Sequence, residues 1–522
     1  MKLVSDISRW PLRIGWLALL LATASCGSDG VREQTASTPP RTAAPRSSEN
    51  SPPLVRPATD AQATPLVPAA ETIPASQLPA SQPPAEERPA SEPKRVGLAD
   101  LVEEGKRREF ELAPIDEARA KAAGLRKITG QHLELWTDLP VENRAVDALP
   151  ANLDLAVQQF AQYFGLDAAQ VDAWRVRGFL IGQRGPFEAV DLLPPTLPDF
   201  KNGFARGSEF WLYDQPSDYY RQHLLFHEAV HVLMNRLLGG SGPPWYMEGV
   251  AEFLATHRTI DGKIVTAAMP QHRDEVPLWG RTKIIRDGFA EGKGMTLEQI
   301  FRYDGSAHLR NEPYGWCWGA AAFLDAHPLT QAKFRKLKSD TTNRTLEFSE
   351  QLEQSLASDW PVIATDWQLF VIDCDYGYDF ARSAIVVRDA VDLPADGATV
   401  MVAADRSFQS SGYRLEAGKS YEITATGTFQ VKREAAVAVM SEPDGITLEY
   451  HRQQPLGRLS CAVADLPGSL GGVTPLADEQ VVGRQSIYTP KSSGPVYFRI
   501  NEASSGLADN RGELSVTIKL AN

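Results

Sequence analysis

The sequence predicts an α+β domain followed by an all-β sandwich domain, both placed behind a long segment that cannot form a core. Segments of strand and helix character are mixed between residues 96 and 388. From residue 389 onward the pattern changes to short alternating runs separated by Gly- and Asp-rich turns, which is typical of a sandwich. With 522 residues, 43% of them hydrophobic, the chain is long enough for two separate cores.

The N-terminus has the character of a signal peptide. Three basic residues precede an apolar run from Ile14 to Ala22, which is too short to span a bilayer. Small residues then lead to Cys26, and this ending resembles the lipobox of bacterial lipoproteins, although Thr23 stands where Leu is usual. We therefore expect residues 1–26 to direct export and Cys26 to carry a lipid. The alternative is ordinary cleavage beside an incidental Cys.

Residues 27–95 form a predicted tether. They consist largely of Pro, Ala, Ser, Thr and Glu and lack the apolar periodicity that could offset the entropy lost on ordering. Pro-rich segments favour extended conformations, so this stretch would hold a domain away from a membrane. We expect a lipoprotein of the cell envelope, periplasmic or at the cell surface. A disordered tail without this purpose is the alternative.

The charge of the chain argues against nucleic acid as a partner. There are 53 Lys and Arg residues against 66 Asp and Glu, which gives a formal net charge of -13. Such a chain repels phosphate backbones.

Three strands are predicted in the central domain. They are rich in aromatic and aliphatic residues and are short, as strands of a mixed fold usually are. Their ranges are His132–Thr137, Arg177–Gly182 and Glu209–Tyr213.

A long helix follows, and it carries the first chemical motif. Pro216, Ser217 and Asp218 form a helix-start pattern, and the run from 220 to 238 has no Gly or Pro. His227 and His231 are four residues apart, so their imidazoles lie on one face of this helix and can share one ion. Glu228 lies between them, where its carboxylate can take a proton from a metal-bound water.

A second helix is predicted beyond His231, around Glu248 and Glu252. These two carboxylates are also four residues apart and face the same way. Glu248 is placed to be a third ligand, and Glu252 to accept the outer N–H of a ligating His. A solvated acidic face is the alternative, but Trp245 and Phe253 nearby favour a buried helix.

The pattern His-Glu-x-x-His followed by Trp-x-x-Glu-Gly-x-Ala-Glu resembles the gluzincin metallopeptidases of the peptidase-MA-like branch, with thermolysin as a distant relative. The resemblance implies a zincin-like fold for residues 96–388. It also implies zinc held by His227, His231 and Glu248, with Glu228 as general base and a water in the fourth position. Glu252 stands where thermolysin has Asp, so the geometry of that contact is open.

A later helix begins near Tyr314. Related gluzincins place a Tyr at the start of a corresponding helix, where its hydroxyl steadies the developing oxyanion, and the resemblance implies this role for Tyr314. The alternative is that Tyr314 only fills space in the core. Cys317, close by, is interpreted as a small buried hydrophobic residue, because a site with two His and one Glu needs no thiolate.

Two other histidines lie near the motif, His223 one turn before His227 and His257 shortly after Phe253. A fourth protein ligand would close the position that catalysis needs open. We therefore predict a surface or packing role for both. Three cysteines besides Cys26 are present, and the sequence does not pair them; they are Cys317, Cys374 and Cys461.

The C-terminal domain, residues 389–522, resembles galactose-binding-like sandwiches, including small calcium-dependent bacterial lectins. The resemblance implies a possible glycan ligand and Ca²⁺, with Asn501, Asp509 and Asn510 as oxygen donors. The favoured alternative is that Asp509 and Asn510 only form a tight turn between strands.

These observations together predict a membrane-anchored zinc-dependent hydrolase whose substrate is a peptide or protein. One alternative is a non-catalytic surface lipoprotein that binds a carbohydrate or another partner on an inactive zincin scaffold. A second is a zinc hydrolase of non-peptide amide bonds, for instance in the cell wall, since a metal-activated water attacks any polarised carbonyl.

Overall fold

The computed structural model describes residues 111–307, 310–466 and 472–521, which belong to one compact unit, Val96–Asn522. The predicted signal peptide, Cys26 and the predicted tether lie outside the described residues, so these three predictions stay open. Within the described part of the chain, no helix is long and apolar enough to cross a membrane.

The first region, residues 111–388, is built around a sheet of five strands. These are β1 (Arg126–Thr129), β2 (Leu133–Thr137), β3 (Val176–Ile181), β4 (Gly203–Arg206) and β5 (Glu209–Tyr213). Their order in the sheet is β1-β2-β3-β5-β4. The three central strands are parallel, and β1 and β4 run antiparallel to their neighbours at the two edges. A separate hairpin consists of β6 (His257–Ile260) and β7 (Lys263–Thr266).

Helices cover both faces of this sheet. They are α1 (Glu117–Ala122), α2 (Arg144–Asp147), α3 (Leu149–Phe164), α4 (Ala168–Ala173), α5 (Arg184–Glu188), α6 (Asp218–Leu233), α7 (Pro244–Ala255), α8 (Arg281–Ala290), α9 (Leu297–Phe301), α10 (Glu312–Ala326), α11 (Gln331–Lys336), α12 (Leu346–Leu356), α13 (Trp360–Asp373) and α14 (Phe380–Ser383). One face of the sheet shares the main core with α3, α6, α7 and α10. A smaller core on the other face involves α1 and α5.

The three predicted strands are confirmed to within one residue, as β2, β3 and β5. All residues of β3 are buried, because it is a central parallel strand with packed layers on both faces.

The long helix α6 begins as predicted. The hydroxyl of Ser217 accepts a hydrogen bond from the backbone N–H of Tyr220 and caps its N-terminus. The last turn of the predicted helix, Met234–Leu238, is π-helical and ends at Gly239, whose φ is 78°. This left-handed residue stops the helix and turns the chain toward α7.

The second region, residues 389–521, is β-rich. Its strands are β8 (Val391–Asp392), β9 (Ala398–Ala403), β10 (Gln409–Leu415), β11 (Tyr421–Thr426), β12 (Phe429–Glu434), β13 (Val437–Ser441), β14 (Asp444–His451), β15 (Gln454–Val463), β16 (Gln480–Val481), β17 (Gln485–Tyr488), β18 (Gly494–Ile500) and β19 (Glu513–Leu520). The larger sheet has the order β14-β15-β18-β10-β8, with β16 added to β15, and a four-stranded sheet has the order β17-β11-β19-β9. Strands β12 and β13 form a separate antiparallel pair. Inward-facing residues of both sheets form one core. The prediction that a region of mixed helices and strands is followed by a β-rich region is confirmed. We call the β-rich region, residues 389–521, the sandwich region.

The two regions share a further apolar core at their boundary. Leu369 on α13 and Ile385 pack there against Phe408, Leu476 and Tyr497 of the sandwich region. Asp373, the last residue of α13, forms ion pairs with Arg452 and Arg499 of the sandwich region. The sandwich region is therefore packed onto the first region.

Candidate metal centre

Helices α6 and α7 bring together the three predicted ligands. The Nε2 atoms of His227 and His231 are 3.0 Å apart. Oε2 of Glu248, on α7, is 3.3 Å from the first and 3.7 Å from the second. All three side chains are buried, and their ligand atoms lie within 4.8 Å of one another. The group can therefore hold a metal ion.

The spacing of these three atoms fits a small tetrahedral ion. With metal–ligand bonds of about 2.0–2.1 Å, the ligand atoms of a tetrahedral site lie about 3.3 Å apart, and the three observed separations scatter around that value. Oε2 of Glu248 is buried and has no hydrogen-bond partner among the described residues. A buried carboxylate oxygen of this kind is rare unless a cation accompanies it.

The pKa values of His227 and Glu248 are both shifted toward the charged form of the side chain. Burial opposes ionisation, yet the contacts with His227 and His231 lower the pKa of Glu248 to about 2. The pKa of His227 is raised well above its usual range, because Glu248 and Glu252 outweigh the effect of burial. A proton is therefore held tightly on this side chain when no other cation is bound.

Glu228 lies beside the three ligand side chains and is itself buried. Its carboxylate rests against Gly203, the first residue of the edge strand β4. Burial raises the pKa of Glu228, against the opposing influence of His227 and His231. A carboxylate with a raised pKa beside a metal site is suited to accept and return a proton.

Glu252 lies one turn after Glu248 and binds the outer side of His227. Its Oε1 is 3.3 Å from Nδ1 of His227. Arg281 donates two hydrogen bonds to the same carboxylate, at 2.8 and 2.7 Å. Burial alone would raise the pKa of Glu252, but Arg281 and then His223 hold it well below its usual range. Glu252 thus lies against the outer nitrogen of His227, and its role beside a bound metal stays a prediction.

Arg281 is a site residue that no sequence pattern marks. It begins α8, is buried, and also donates a hydrogen bond of 2.6 Å to the carbonyl of Trp279. Its guanidinium lies 5.6 Å from the ring centre of Tyr220 and 5.9 Å from that of Tyr314. It supplies the positive charge that compensates Glu252.

Tyr314 lies at the start of α10, facing the site. Its ring centre is 6.1 Å from that of His227. Burial, followed by the charges of three carboxylates, raises the pKa of the Tyr314 phenol. The hydroxyl therefore stays protonated at neutral pH and can donate a hydrogen bond.

No family model matches the chain, and no curated protein matches it. One solved structure that does match is described as "EclA N-terminal domain; PllA-like lectin". It is 20% identical in sequence and covers 24% of this chain and 100% of its own, with a TM-score of 0.19. At that TM-score the likeness carries no argument about fold or function.

The two neighbouring histidines differ from each other in their surroundings. His223 is buried, and its Nε2 atom is 3.0 Å from Oε2 of Glu252. The prediction of a surface or packing role was therefore wrong for His223, which has a polar partner. One helical turn separates it from His227, so the same carboxylate reaches both. His257 is buried and stacks on Tyr219 at 4.4 Å, which is the predicted packing role.

The predicted oxygen donors of the sandwich region take part in its backbone contacts. The side-chain amide of Asn501 donates hydrogen bonds to the carbonyls of His451, Gln454 and Pro455. Oδ2 of Asp509 accepts a hydrogen bond from the backbone of Arg433. Asn510 is buried and donates to the carbonyl of Ala404 and to Glu502. Asp509 ends a 3₁₀ helix, Ser504–Asp509, so it lies in a longer connection between β18 and β19 and not in a tight turn. Ca²⁺ and a glycan ligand stay predictions.

The three described cysteines are free and buried. Burial raises the pKa of the Cys317 thiol well above its usual range. Cys317 is therefore a packing residue, as predicted, and not a thiolate ligand; the other two are Cys374 and Cys461.

Proposed function

We propose that the chain is a membrane-anchored, zinc-dependent hydrolase that cleaves peptide bonds. The observation that supports it is the convergence of His227, His231 and Glu248 on one point with the carboxylate of Glu228 beside them. The membrane anchor rests on the sequence around Cys26. If Cys26 carries the lipid, the variant Cys26→Ser should be released from the membrane fraction.

The charge of the site supports a divalent cation. Three buried carboxylates, those of Glu228, Glu248 and Glu252, face one permanent positive charge, that of Arg281. The net charge of these four side chains is therefore −2, and a divalent cation would make the site neutral. Charges buried at this depth are rarely left uncompensated.

The donor set favours zinc among the divalent ions. Two imidazole nitrogens and one carboxylate oxygen make up a ligand set of catalytic zinc sites, with one position left open. Calcium and magnesium prefer sites made of oxygen atoms alone. A zinc ion supplies Lewis acidity, because it lowers the pKa of a coordinated water and polarises a carbonyl group.

The protein residues then have separate tasks. Glu228 accepts a proton from the attacking water as the new C–O bond forms, and returns that proton to the leaving nitrogen as the C–N bond breaks. The hydroxyl of Tyr314 donates a hydrogen bond to the oxygen that gains negative charge. Glu252, paired with Arg281, fixes the ring of His227.

A peptide substrate is favoured by the position of β4. This strand is at the edge of the sheet, and its first residue touches Glu228. An extended peptide that pairs with the open side of an edge strand is bound along its main chain, largely independently of sequence. Its carbonyl groups would then pass close to the general base.

Zinc content and hydrolysis test the proposal together. We expect about one zinc per chain by elemental analysis of the wild type, with loss of the metal in both His231→Ala and Glu248→Ala. Glu228→Gln should keep the zinc and lower kcat for peptide hydrolysis by roughly 10²–10⁴-fold, the usual contribution of a general base.

The same measurements separate the alternatives. Zinc with hydrolysis of cell-wall amides but of no peptide would change the substrate class. Zinc with no hydrolysis of either panel would favour the non-catalytic binding protein. A folded wild type without zinc would overturn the proposal.

A further inference from the structure

The carboxylate of Glu228 has one close neighbour that contributes no side chain. Gly203 begins the edge strand β4 and pairs with Leu212 of β5. A Cβ atom built on Gly203 would overlap Oε1 of Glu228 and would lie 3.0 Å from its Cδ atom. It would also lie 2.9 Å from Cδ2 of Leu212.

The backbone conformation does not explain this glycine. Gly203 is a strand residue and is absent from the positive-φ glycines of the described chain. A glycine inside a strand loses more conformational entropy on folding than other residues and packs no side chain. The reason for a glycine here is therefore the space that the Glu228 carboxylate and, beside it, the Leu212 side chain occupy.

The Glu228 carboxylate is also enclosed by the surrounding protein. Glu228 is held in α6 between the two histidines, and its charge interacts with both of them and with Glu248. It is only 6% exposed. A carboxylate this deeply buried has little free volume into which it could move away from a new Cβ atom on Gly203.

We propose that the backbone of β4 at Gly203 fixes the position of the Glu228 carboxylate, so that Gly203 is a positioning residue for the hydrolysis. This inference rests on the proposed function. A misplacement of about 1 Å can lower a rate by roughly 10²-fold, because the base must lie within hydrogen-bond reach of the proton that it takes.

The variant Gly203→Ala tests this role, with Gly185→Ala as the matched control. Gly185 is exposed, and a Cβ there would meet no atom within 4 Å. We expect Gly203→Ala to keep its zinc and to lower kcat by roughly 10–100-fold with little change in KM. The control should match the wild type. Unchanged kcat in Gly203→Ala, or loss of zinc in step with activity, would overturn the inference.

A thermal double-mutant cycle tests the contact without any assay of activity. Gly203→Ala should lower Tm in the wild type, and this loss should shrink to less than half in the Glu228→Ala background, where the carboxylate is gone. If Gly203→Ala fails to fold, folding in the Glu228→Ala background would support the contact. An equal loss in both backgrounds, or failure to fold in both, would assign the effect to Leu212 and overturn the inference. The double-mutant cycle tests the contact between Gly203 and Glu228 even if the protein cleaves no substrate.

Discussion

Glu252 contacts His227, His223 and Arg281, which come from two different helices, and is itself 1% exposed. Its charge is accepted in the interior only because Arg281 binds both of its oxygens. The buried pair therefore decides whether the ring of His227 is fixed in place.

Removing the Arg281 side chain should lower the stability of the fold. Arg281→Met leaves the Glu252 carboxylate buried without a permanent positive charge beside it, and we expect the free energy of unfolding to fall by about 3–5 kcal/mol. Chemical denaturation followed by fluorescence measures this change. Arg286→Met is the matched control, because Arg286 is on the same helix and forms an exposed pair with Asp375. Its loss should cost less than about 1 kcal/mol, and equal effects in the two variants would contradict the prediction.

The raised pKa of Glu502, in the sandwich region, should make the stability of the protein depend on pH. Burial, aided by the charges of Asp509 and Glu449, raises its pKa to about 7 from the model-compound value of 4.5. Between these two values the folded protein binds more protons than the unfolded chain. The contribution of this group to the free energy of unfolding is therefore complete below pH 4.5 and is lost as the pH rises through 7.

Glu502→Gln isolates this effect, because Gln can still accept the hydrogen bond from Asn510. We expect the wild type to lose stability relative to the variant between pH 5 and pH 8, by a few kcal/mol at most, since one pKa unit corresponds to about 1.4 kcal/mol. Unfolding curves in calcium-free buffer at several pH values give the comparison. Parallel curves for the two proteins would refute the raised pKa.

The ligand side chains could be predicted because their relation is local. His227 and His231 share one helix, and Glu248 with Glu252 share the next, so helical periodicity fixes which of them face together. Arg281 and Gly203 could not be found in this way, since their contacts with Glu252 and Glu228 span 29 and 25 residues of chain. Only the fold brings these pairs together.

Helix α10 approaches α7 closely because Gly249 has no side chain. A Cβ at this position would lie 2.7 Å from the carbonyl oxygen of Cys317. The absence of that atom lets α10 carry Tyr314 toward the ligands on α6 and α7. The positions of these helices along the sequence were predictable, but the separation between them was not, since it depends on contacts between distant segments.

Gly249→Ala should therefore disturb the packing of the two helices. We expect a loss of about 1–3 kcal/mol in the free energy of unfolding, the usual cost of an overpacked core, and weaker zinc binding, because Glu248 adjoins the substituted residue. Gly294→Ala serves as the control, since a Cβ there would make only ordinary contacts of 3.6 and 3.8 Å. Calorimetry and zinc titration of both variants measure these effects. A variant as stable as the control would show that the helices can separate at no cost.

The two regions should unfold as one unit, because the apolar core at their boundary and the ion pairs of Asp373 with Arg452 and Arg499 belong to both. All eleven Trp residues precede residue 368, so Trp fluorescence reports no event inside the sandwich region directly. This distribution gives a sharp test of cooperativity.

Ile423→Ala removes a fully buried side chain from the core of the sandwich region. Such a change costs about 2–5 kcal/mol, and we expect the midpoint of thermal unfolding seen by Trp fluorescence to fall by several degrees. Circular dichroism of the β-sheets should give the same midpoint. A Trp transition that stays at the wild-type temperature would mean that the first region unfolds independently.

The hairpin of β4 and β5 has a two-residue turn, Gly207 and Ser208, and this turn sets which residue of β4 meets the general base. An insertion or deletion in the turn would slide β4 along β5 and bring a residue with a side chain, such as Phe204, against Glu228. Length changes in residues 189–202, ahead of the strand, leave that pairing intact. In the evolution of this chain, insertions and deletions should accumulate in that segment while the turn keeps its length.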